Sequence, residues 1–318
     1  MLITFSVLVL MLSVLATALY YFFPGILFNS SIKLGRWKAG LIKKNIVIGD
    51  QTIAYLTGGK GEPLLLLHGF GADKDNWTLI APYLVAKYQL IIPDLAGFGE
   101  SPFLEGKTYS PTEQVDLLIG FVRQLGVHKL HVGGNSMGGY LAAKFAQKVG
   151  SDVQSVWLLA PAGVTTEKNA DGISLIESGD NPLIIHTESD FDRLIRLCFE
   201  VPPSTPKAIK SFLFKKARDR AVVNSRLFSD LIGGQTIPEE NPLKLEDSIE
   251  KIESNIFLVW GDSDRILHVD GLQVLEEKLA NANRRHESVM MNNMGHIPMI
   301  ERPEDTATDF LNFSQRMH

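Results

Sequence analysis

The stretch "HVGGNSMGGY", residues 131–140, places Ser136 between two pairs of glycines. It lies between an apolar run and a segment with helical character, and Gly134 and Gly138 complete the pattern G-x-S-x-G. Where a strand turns directly into a helix, this pattern puts the serine on a sharp, strained turn that exposes its hydroxyl. The alternative is an ordinary loose glycine-rich turn. The strand-to-helix setting favours an exposed nucleophile at Ser136.

Apolar runs recur along the chain and alternate with helical segments. The runs are apolar on both faces, which is typical of a parallel sheet covered on both sides, and they lie at residues 63–69, 88–94, 130–136, 153–163, 255–262 and 286–293. Residues 45–59 predict a hairpin that turns at Gly49 and Asp50. The alternation predicts an α/β fold with a mostly parallel central sheet flanked by helices. It stops from about residue 164 to 245, where we expect an inserted, mostly helical cap.

The composition bounds the function classes. The chain has 318 residues, a net charge of -5 and 45% hydrophobic residues, so nothing indicates the basic face that nucleic-acid binding usually requires. Its one cysteine, Cys198, excludes an internal disulfide and a cysteine-based zinc site. Helical spacing around Cys198 indicates a buried apolar role. We expect no metal, no cofactor and no nucleic-acid partner.

The N-terminal segment differs from the rest of the chain. Residues 1–32 contain no charged side chain, and five basic residues follow before the first acid, Asp50. About 20 apolar residues are enough to span a bilayer, and the aromatic residues 20–23 suit an interface. We assign residues 1–28 to a membrane anchor or signal segment and favour the retained anchor, with the catalytic domain on the cytoplasmic side. Cleavage after residues 16–18, with secretion or periplasmic release, is the alternative.

A serine nucleophile needs a base, and the base needs an acid. His296 lies in "NNMGHIPMIERP", after the last apolar run and before the final helical segment. Its position near the C-terminus fits the chain order serine, acid, histidine. Asp264, in "LVWGDSDRILH", is the favoured acid, with Asp262 as its rival. The predicted catalytic residues are therefore Ser136, Asp264 and His296.

A tetrahedral intermediate on the serine requires two backbone donors. The amide of Met137, directly after the serine, is one predicted donor. The amide of Phe70, in the "HGFG" loop, is the other, and His68 in that loop is expected to hold it by hydrogen bonds. Trp77 and Leu95 are candidates for substrate contact.

Five segments together resemble the α/β-hydrolase superfamily, and they are "HGFGADKDNW", "PDLAGFGES", "GGNSMGG", "WGDSDRILH" and "MGHIPMIERP". The first of them, with "SDVQSVWLLAPAGV", is most similar to monoacylglycerol-lipase-like membrane enzymes and cold-adapted bacterial lipases. The resemblance implies an α/β-hydrolase domain over residues 29–318 that cleaves lipid-like carboxylic esters, with Ser136, Asp264 and His296 as its triad.

Two other functions stay open at this stage. Hydrolases that cleave carbon–carbon bonds in meta-cleavage products share the "GNSMGG" elbow, and the cap arginines 193, 196, 218 and 220 could bind a dienoate carboxylate. A receptor that kept the fold without turnover is the second alternative. The presence of all three triad residue types and the lipase-like flanking segments favour the ester hydrolase.

Overall fold

The computed structural model describes residues 4–6, 11, 17, 20–234 and 242–317 of the chain. Eight strands form one sheet in the order β1-β2-β4-β3-β5-β6-β7-β8. The strands are β1 (Ile42–Ile48), β2 (Gln51–Gly58), β3 (Glu62–Leu67), β4 (Tyr88–Pro93), β5 (Leu130–Asn135), β6 (Val153–Leu159), β7 (Asn255–Gly261) and β8 (His286–Met291). The helices are α1 (Pro24–Lys38), α2 (Ala81–Leu84), α3 (Pro111–Gln124), α4 (Met137–Val149), α5 (Asp171–Glu177), α6 (Glu188–Cys198), α7 (Lys207–Arg218), α8 (Ala221–Leu231), α9 (Asp270–Asn281), α10 (Pro298–Glu301) and α11 (Pro303–Arg316).

The sheet begins with the predicted hairpin and continues in parallel. β1 pairs with β2 in antiparallel register, Ile48 opposite Gln51, and Gly49 adopts a positive φ of 62° in the turn. β2 also runs antiparallel to β4, whereas the pairs from β4 through β3, β5, β6 and β7 to β8 are parallel. This confirms the mostly parallel sheet. It also places the carboxyl ends of β3, β5, β7 and β8 along one edge.

Alternating residues of the central strands feed two separate cores. In β3, Leu65 and Leu67 pack with the cluster that includes Phe121 of α3 and Phe145 of α4. Leu66, which lies between them, points to the opposite face, where the core includes Phe310 of α11. Burial on both faces explains why these strands have continuous apolar runs rather than an alternating pattern.

Local signals account for the start of α3. Ser110 caps the helix and the Glu113 carboxylate accepts from the Ser110 backbone N–H, so a capping box begins α3. Pro111 occupies the first helical position, where its missing N–H costs nothing.

The helical cap lies between β6 and β7, as predicted. Its described residues form α5, α6, α7 and α8. The stretch from residue 206 to 232 forms two helices rather than one, because the chain turns at Asp219 and Arg220 between α7 and α8.

Half of the predicted N-terminal anchor, residues 1–28, lies outside the described residues. Within the part of the chain that is described, no helix is both long and apolar enough to cross a membrane. Helix α1 packs on the cap, with the rings of Phe28 and Phe212 5.8 Å apart. It also docks on the loop after β3, where Arg36 Nε donates to Asp75 Oδ1 over 2.6 Å.

Candidate active site

The sequence-predicted site residues occupy loops at one edge of the sheet. Phe70 follows β3, Ser136 follows β5, Asp264 follows β7 and His296 follows β8. Because these strands are parallel, their carboxyl ends open onto a common edge, which is where open α/β sheets bind ligands.

Ser136 occupies a sharp turn between β5 and α4. Its backbone has φ 58° and ψ −122°, an unusual conformation for a residue with a side chain. Three hydrogen bonds hold the turn, since Ser136 N donates to Leu159 O and its carbonyl accepts from Tyr140 N and Ala162 N. Neighbouring structure therefore maintains a conformation that the isolated chain would disfavour.

The glycines that frame Ser136 are required by close backbone contacts. A Cβ on Gly134 would lie 2.2 Å from Gly138 O, and a Cβ on Gly138 would lie 2.2 Å from Leu67 O. These contacts involve backbone atoms, which cannot rotate away. The tight turn, rather than a loose loop, explains the glycine pairs around the serine.

His296 and Asp264 form a buried hydrogen-bonded pair. His296 Nδ1 lies 2.7 Å from Asp264 Oδ2, and the Asp264 side chain is fully buried. The other carboxylate oxygen, Oδ1, accepts from the amides of Ile266 and Leu267 over 2.8 and 2.9 Å. A carboxylate held in this way orients the imidazole, leaves Nε2 available for proton transfer and stabilises the imidazolium.

The residue before the serine connects the elbow to the histidine loop. Asn135 Nδ2 donates to His296 O over 2.9 Å and to Leu159 O over 3.0 Å. Among the described residues, no hydrogen bond joins Ser136 Oγ to His296 Nε2. Such bonds are often long or poorly aligned until substrate binds. The motif-based sequence reasoning missed Asn135, because its amide reaches a residue 161 positions away.

Asp262, the rival acid, has a different role. Its Oδ1 accepts from Ser263 Oγ over 2.8 Å and from Met294 N over 3.3 Å, and the residue is exposed. Asp262 thus stabilises the turn after β8 while Asp264 faces the imidazole.

The two predicted oxyanion donors lie on either side of the serine. Met137 is the first residue of α4, so its amide has no partner within the helix. The loop carrying Phe70 approaches the elbow closely, since a Cβ on Gly69 would lie 3.3 Å from Ser136 Cβ. Among the described residues, neither amide donates to another protein group, which is what the predicted oxyanion role requires.

His68 fixes the loop that carries Phe70 through hydrogen bonds of both ring nitrogens. Its Nδ1 lies 2.8 Å from Gly69 O, and its Nε2 accepts from Leu95 N over 3.0 Å. One nitrogen donates and the other accepts, so the ring is neutral. Burial lowers the pKa of His68 from its ordinary value.

A buried ion pair ties the same loop to the loop after β4. Lys74 Nζ lies 2.8 Å from Asp94 Oδ2, and both side chains are at most 1% exposed. Asp94 also accepts from the amides of Lys74 and Glu100, over 2.8 and 2.7 Å. The carboxylate is satisfied by several donors, which is the condition for keeping an ion pair buried.

Aromatic side chains cover the Phe70 side of the site. The Phe70 ring packs edge-on against Phe98 at 5.4 Å and against Phe228 of the cap helix α8 at 5.6 Å. Trp77 is fully buried against Trp157, and Leu95 is 1% exposed in the core. Their burial reflects core packing, and substrate contact at Trp77 or Leu95 stays a prediction.

The cap arginines mostly serve structural contacts. Arg193 pairs with Asp180, Arg218 lies over the Phe214 ring, and the carbonyl of Arg196 accepts from Arg265. Arg193 and Arg220 are both half-buried, and Arg220 donates to Gly97 O.

Neither the Cys198 thiol nor a metal-binding cluster among the described residues offers a competing catalytic site. Burial raises the pKa of the Cys198 thiol to about 12, with further contributions from Asp264 and Glu301. A thiol at that pKa stays protonated and is not a nucleophile. In the described part of the chain, no group of three or more histidine, cysteine or acidic side chains is arranged to hold a metal ion.

Comparison with known proteins identifies the family. A family model for the alpha/beta hydrolase fold matches residues 62–180. Lipase 3 of Moraxella sp. (strain TA144) is 32% identical over 289 residues, covering 89% of this chain and 87% of the lipase. The chain belongs to the α/β-hydrolase family.

Two further relatives extend this comparison. Lipase 1 of Psychrobacter immobilis is 34% identical over 290 residues, with coverage of 89% and 87%. A solved structure described as a membrane phospholipase A and bacterial virulence factor is 36% identical and superposes with a TM-score of 0.86, covering 100% of this chain and 99% of that one. The chain is thus a lipase-like α/β hydrolase.

The neutral state of His68 predicts a pH-dependent stability. Its pKa is lower in the folded than in the unfolded protein, so the unfolded state binds more protons below the unfolded pKa of about 6.5. The free energy of unfolding should therefore fall as pH decreases below about 6.5, by up to about 1.4 kcal/mol per pH unit from this group. His68→Asn should remove that contribution.

Urea unfolding at pH 7.5, 6.5 and 5.5 measures the effect as the difference between wild type and His68→Asn. His128→Asn, at an exposed position, is the matched control and should follow the wild type. Parallel pH dependences for wild type and His68→Asn would contradict the assignment of a neutral, buried His68.

Proposed function

We propose that this protein is a serine hydrolase that cleaves carboxylic esters of lipids through an acyl-enzyme on Ser136. The observation that carries the proposal is the buried Asp264–His296 hydrogen bond. Asn135, the residue directly before Ser136, joins the loop of this pair to the serine turn by donating to His296 O. A hydroxyl, an imidazole and a carboxylate that are distant in the sequence thus lie on adjoining loops.

In the proposed mechanism, Ser136 Oγ attacks the ester carbonyl carbon and His296 Nε2 accepts the hydroxyl proton. The developing oxyanion receives hydrogen bonds from the amides of Phe70 and Met137. His296 then donates its proton to the leaving alcohol as the C–O bond breaks. Water, activated by the same imidazole, attacks the acyl-enzyme and releases the carboxylic acid. Asp264 remains ionised and stabilises the imidazolium.

Two observations support a lipid-type ester. The covering over the oxyanion loop is aromatic, formed by Phe70, Phe98 and Phe228, and apolar walls suit acyl chains. Relatives with about one third identity are named lipases. Of the two half-buried cap arginines, Arg193 pairs with Asp180 and Arg220 donates to Gly97 O, which disfavours a dienoate carboxylate as their partner.

Replacing Ser136 by alanine should abolish ester hydrolysis without unfolding the protein. We expect kcat/KM to fall by on the order of 10⁴-fold or more, because the base then has no nucleophile to activate. The measurement is a chain-length series of p-nitrophenyl and glycerol esters on purified wild type and Ser136→Ala.

The control is Ser174→Ala, at an exposed serine of α5, which should keep wild-type rates. Esterase activity that survives in Ser136→Ala would refute the nucleophile, and turnover of a dienoate without any ester turnover would move the protein to carbon–carbon hydrolysis.

The two aspartates after β7 form a matched pair for testing the acid. Asp264→Asn should lower kcat by on the order of 10⁴-fold, since the amide no longer enforces the tautomer or stabilises the imidazolium. Asp262→Asn should change kcat little, because its carboxylate contacts Ser263 and Met294 rather than the imidazole. An equal loss in both variants, or a larger loss at Asp262, would reject Asp264 as the acid.

We further propose that residues 1–28 anchor the protein in a membrane with the catalytic domain on the cytoplasmic side. The uncharged first 32 residues and the basic residues that follow support it, as does the similarity to a protein described as a membrane phospholipase. After carbonate extraction of membranes, the full chain should stay in the pellet and a chain lacking residues 1–28 should not. Release of the full chain, or a shortened mature N-terminus, would indicate a cleaved signal peptide.

A further inference from the structure

A backbone hydrogen bond joins the cap to the loop after β8, residues 292–298, which carries His296 and is called the base loop below. His296 N donates to Cys198 O, at the end of α6, over 2.8 Å. The segment immediately around it, residues 196–200, belongs to the cap and lies next to the loop after β8. The loop of His296, the proposed base, is therefore held by the cap as well as by the sheet.

Glu301 joins these two segments through its carboxylate. Oε1 accepts from Gly295 N, the residue before the base, over 3.0 Å. Oε2 accepts from Glu200 N, in the cap, over 2.9 Å. Each carboxylate oxygen thus accepts a hydrogen bond from one of the two segments. This single side chain therefore fixes the distance between the base loop and residues 196–200.

Gly295 shows how closely the two segments approach. A Cβ at this position would lie 2.6 Å from Cys198 O, 2.7 Å from Glu301 Oε1 and 2.8 Å from Glu200 N. No side chain larger than hydrogen fits, so the three contacts form one tightly packed junction.

The acid loop is attached to the same cap segment. Arg265, next to Asp264, donates through Nη1 to Arg196 O and through Nη2 to Glu200 Oε2, both over 2.8 Å. Arg265 O also accepts from Gly172 N in the cap helix α5 over 2.8 Å. Both loops that carry the proposed proton-transfer pair therefore depend on where the cap lies.

We propose that Glu301 is a positioning residue that fixes the cap to the base loop, so that the alignment of His296 toward Ser136 depends on the position of residues 196–200. The proposal rests on the proposed hydrolase function for its catalytic consequence, whereas the junction itself is independent of it. Glu301 contacts neither substrate nor the reacting atoms and acts only through the base. Burial raises the pKa of its carboxyl, and the backbone amides that donate to it oppose part of that rise.

The test compares Glu301→Gln with Glu304→Gln in the full chain. In Glu301→Gln an amide NH₂ replaces one acceptor and opposes a backbone N–H, so the junction opens. A displacement of about 1 Å at a catalytic group costs on the order of 10²-fold in rate, and we expect kcat on p-nitrophenyl butyrate to fall by about that factor with little change in KM. Glu304, exposed on α11, is the matched control and should keep wild-type kinetics.

Hydrogen–deuterium exchange supplies a readout that needs no activity. In Glu301→Gln, exchange should rise together in peptides covering residues 292–298 and 196–201, and the melting temperature should stay close to that of Glu304→Gln. A uniform rise across the domain would indicate a general structural role and overturn the proposal. So would wild-type kcat in Glu301→Gln, or faster exchange in the base loop alone.

Arg265→Gln provides a second variant if Glu301→Gln does not fold. It removes the other attachment of residues 196–200 and should give the same paired rise in exchange with a smaller loss of kcat, since the Glu301 and Cys198 contacts remain. Unchanged exchange at 196–201 in Arg265→Gln would also overturn the proposal. If wild-type Ser136 is not labelled by a fluorophosphonate, the hydrolase function fails, and the exchange measurements still decide the junction.

Discussion

The strained turn at Ser136 is the constraint on which the rest of the site depends. A residue with a side chain holds φ at 58°, a cost of order 1–3 kcal/mol for such conformations, and it does so because β5, α4 and the end of β3 meet without room for side chains at Gly134 and Gly138. The same crossing exposes the hydroxyl above the sheet and leaves the Met137 amide at a helix start. One backbone conformation thus supplies both the proposed nucleophile and a proposed oxyanion donor.

The other site groups are held by buried polar contacts of different kinds. On the oxyanion side, a neutral His68 and the Lys74–Asp94 ion pair fix the loop that carries Phe70. On the base side, Asp264 orients the imidazole and the loop rests on backbone atoms of the cap. The cap consequently has two roles in this account. Through Phe228 it packs against Phe70, and through residues 196–200 it supports the loop that carries His296. Movement of the cap would therefore affect alignment for chemistry as well as access.

Local patterns in the sequence were sufficient for much of the fold and of the site. The apolar runs predicted the parallel strands and the elbow pattern located Ser136, and the capping pair Ser110 and Glu113 is a local signal for the start of α3. The preference for Asp264 over Asp262 agrees with the contact to His296, although its catalytic role stays a prediction. Long-range contacts were not predictable, because they depend on which loops the sheet order brings together. The reach of Asn135 to His296, the docking of Arg36 on Asp75 and the junction at Glu301 are of this kind. The break between α7 and α8 has no local signal either, because no proline or glycine marks it.

A crystal structure of the protein after reaction with a fluorophosphonate ester tests the central claim most directly, since the phosphonyl group mimics a tetrahedral acyl-transfer intermediate. The account predicts phosphorus bonded to Ser136 Oγ, one phosphonyl oxygen within hydrogen-bond distance of both the Phe70 and Met137 amides, and His296 Nε2 within reach of Oγ or the remaining ester oxygen. An adduct on another residue, or an adduct on Ser136 with the imidazole turned away and the oxygen directed to solvent, would contradict it.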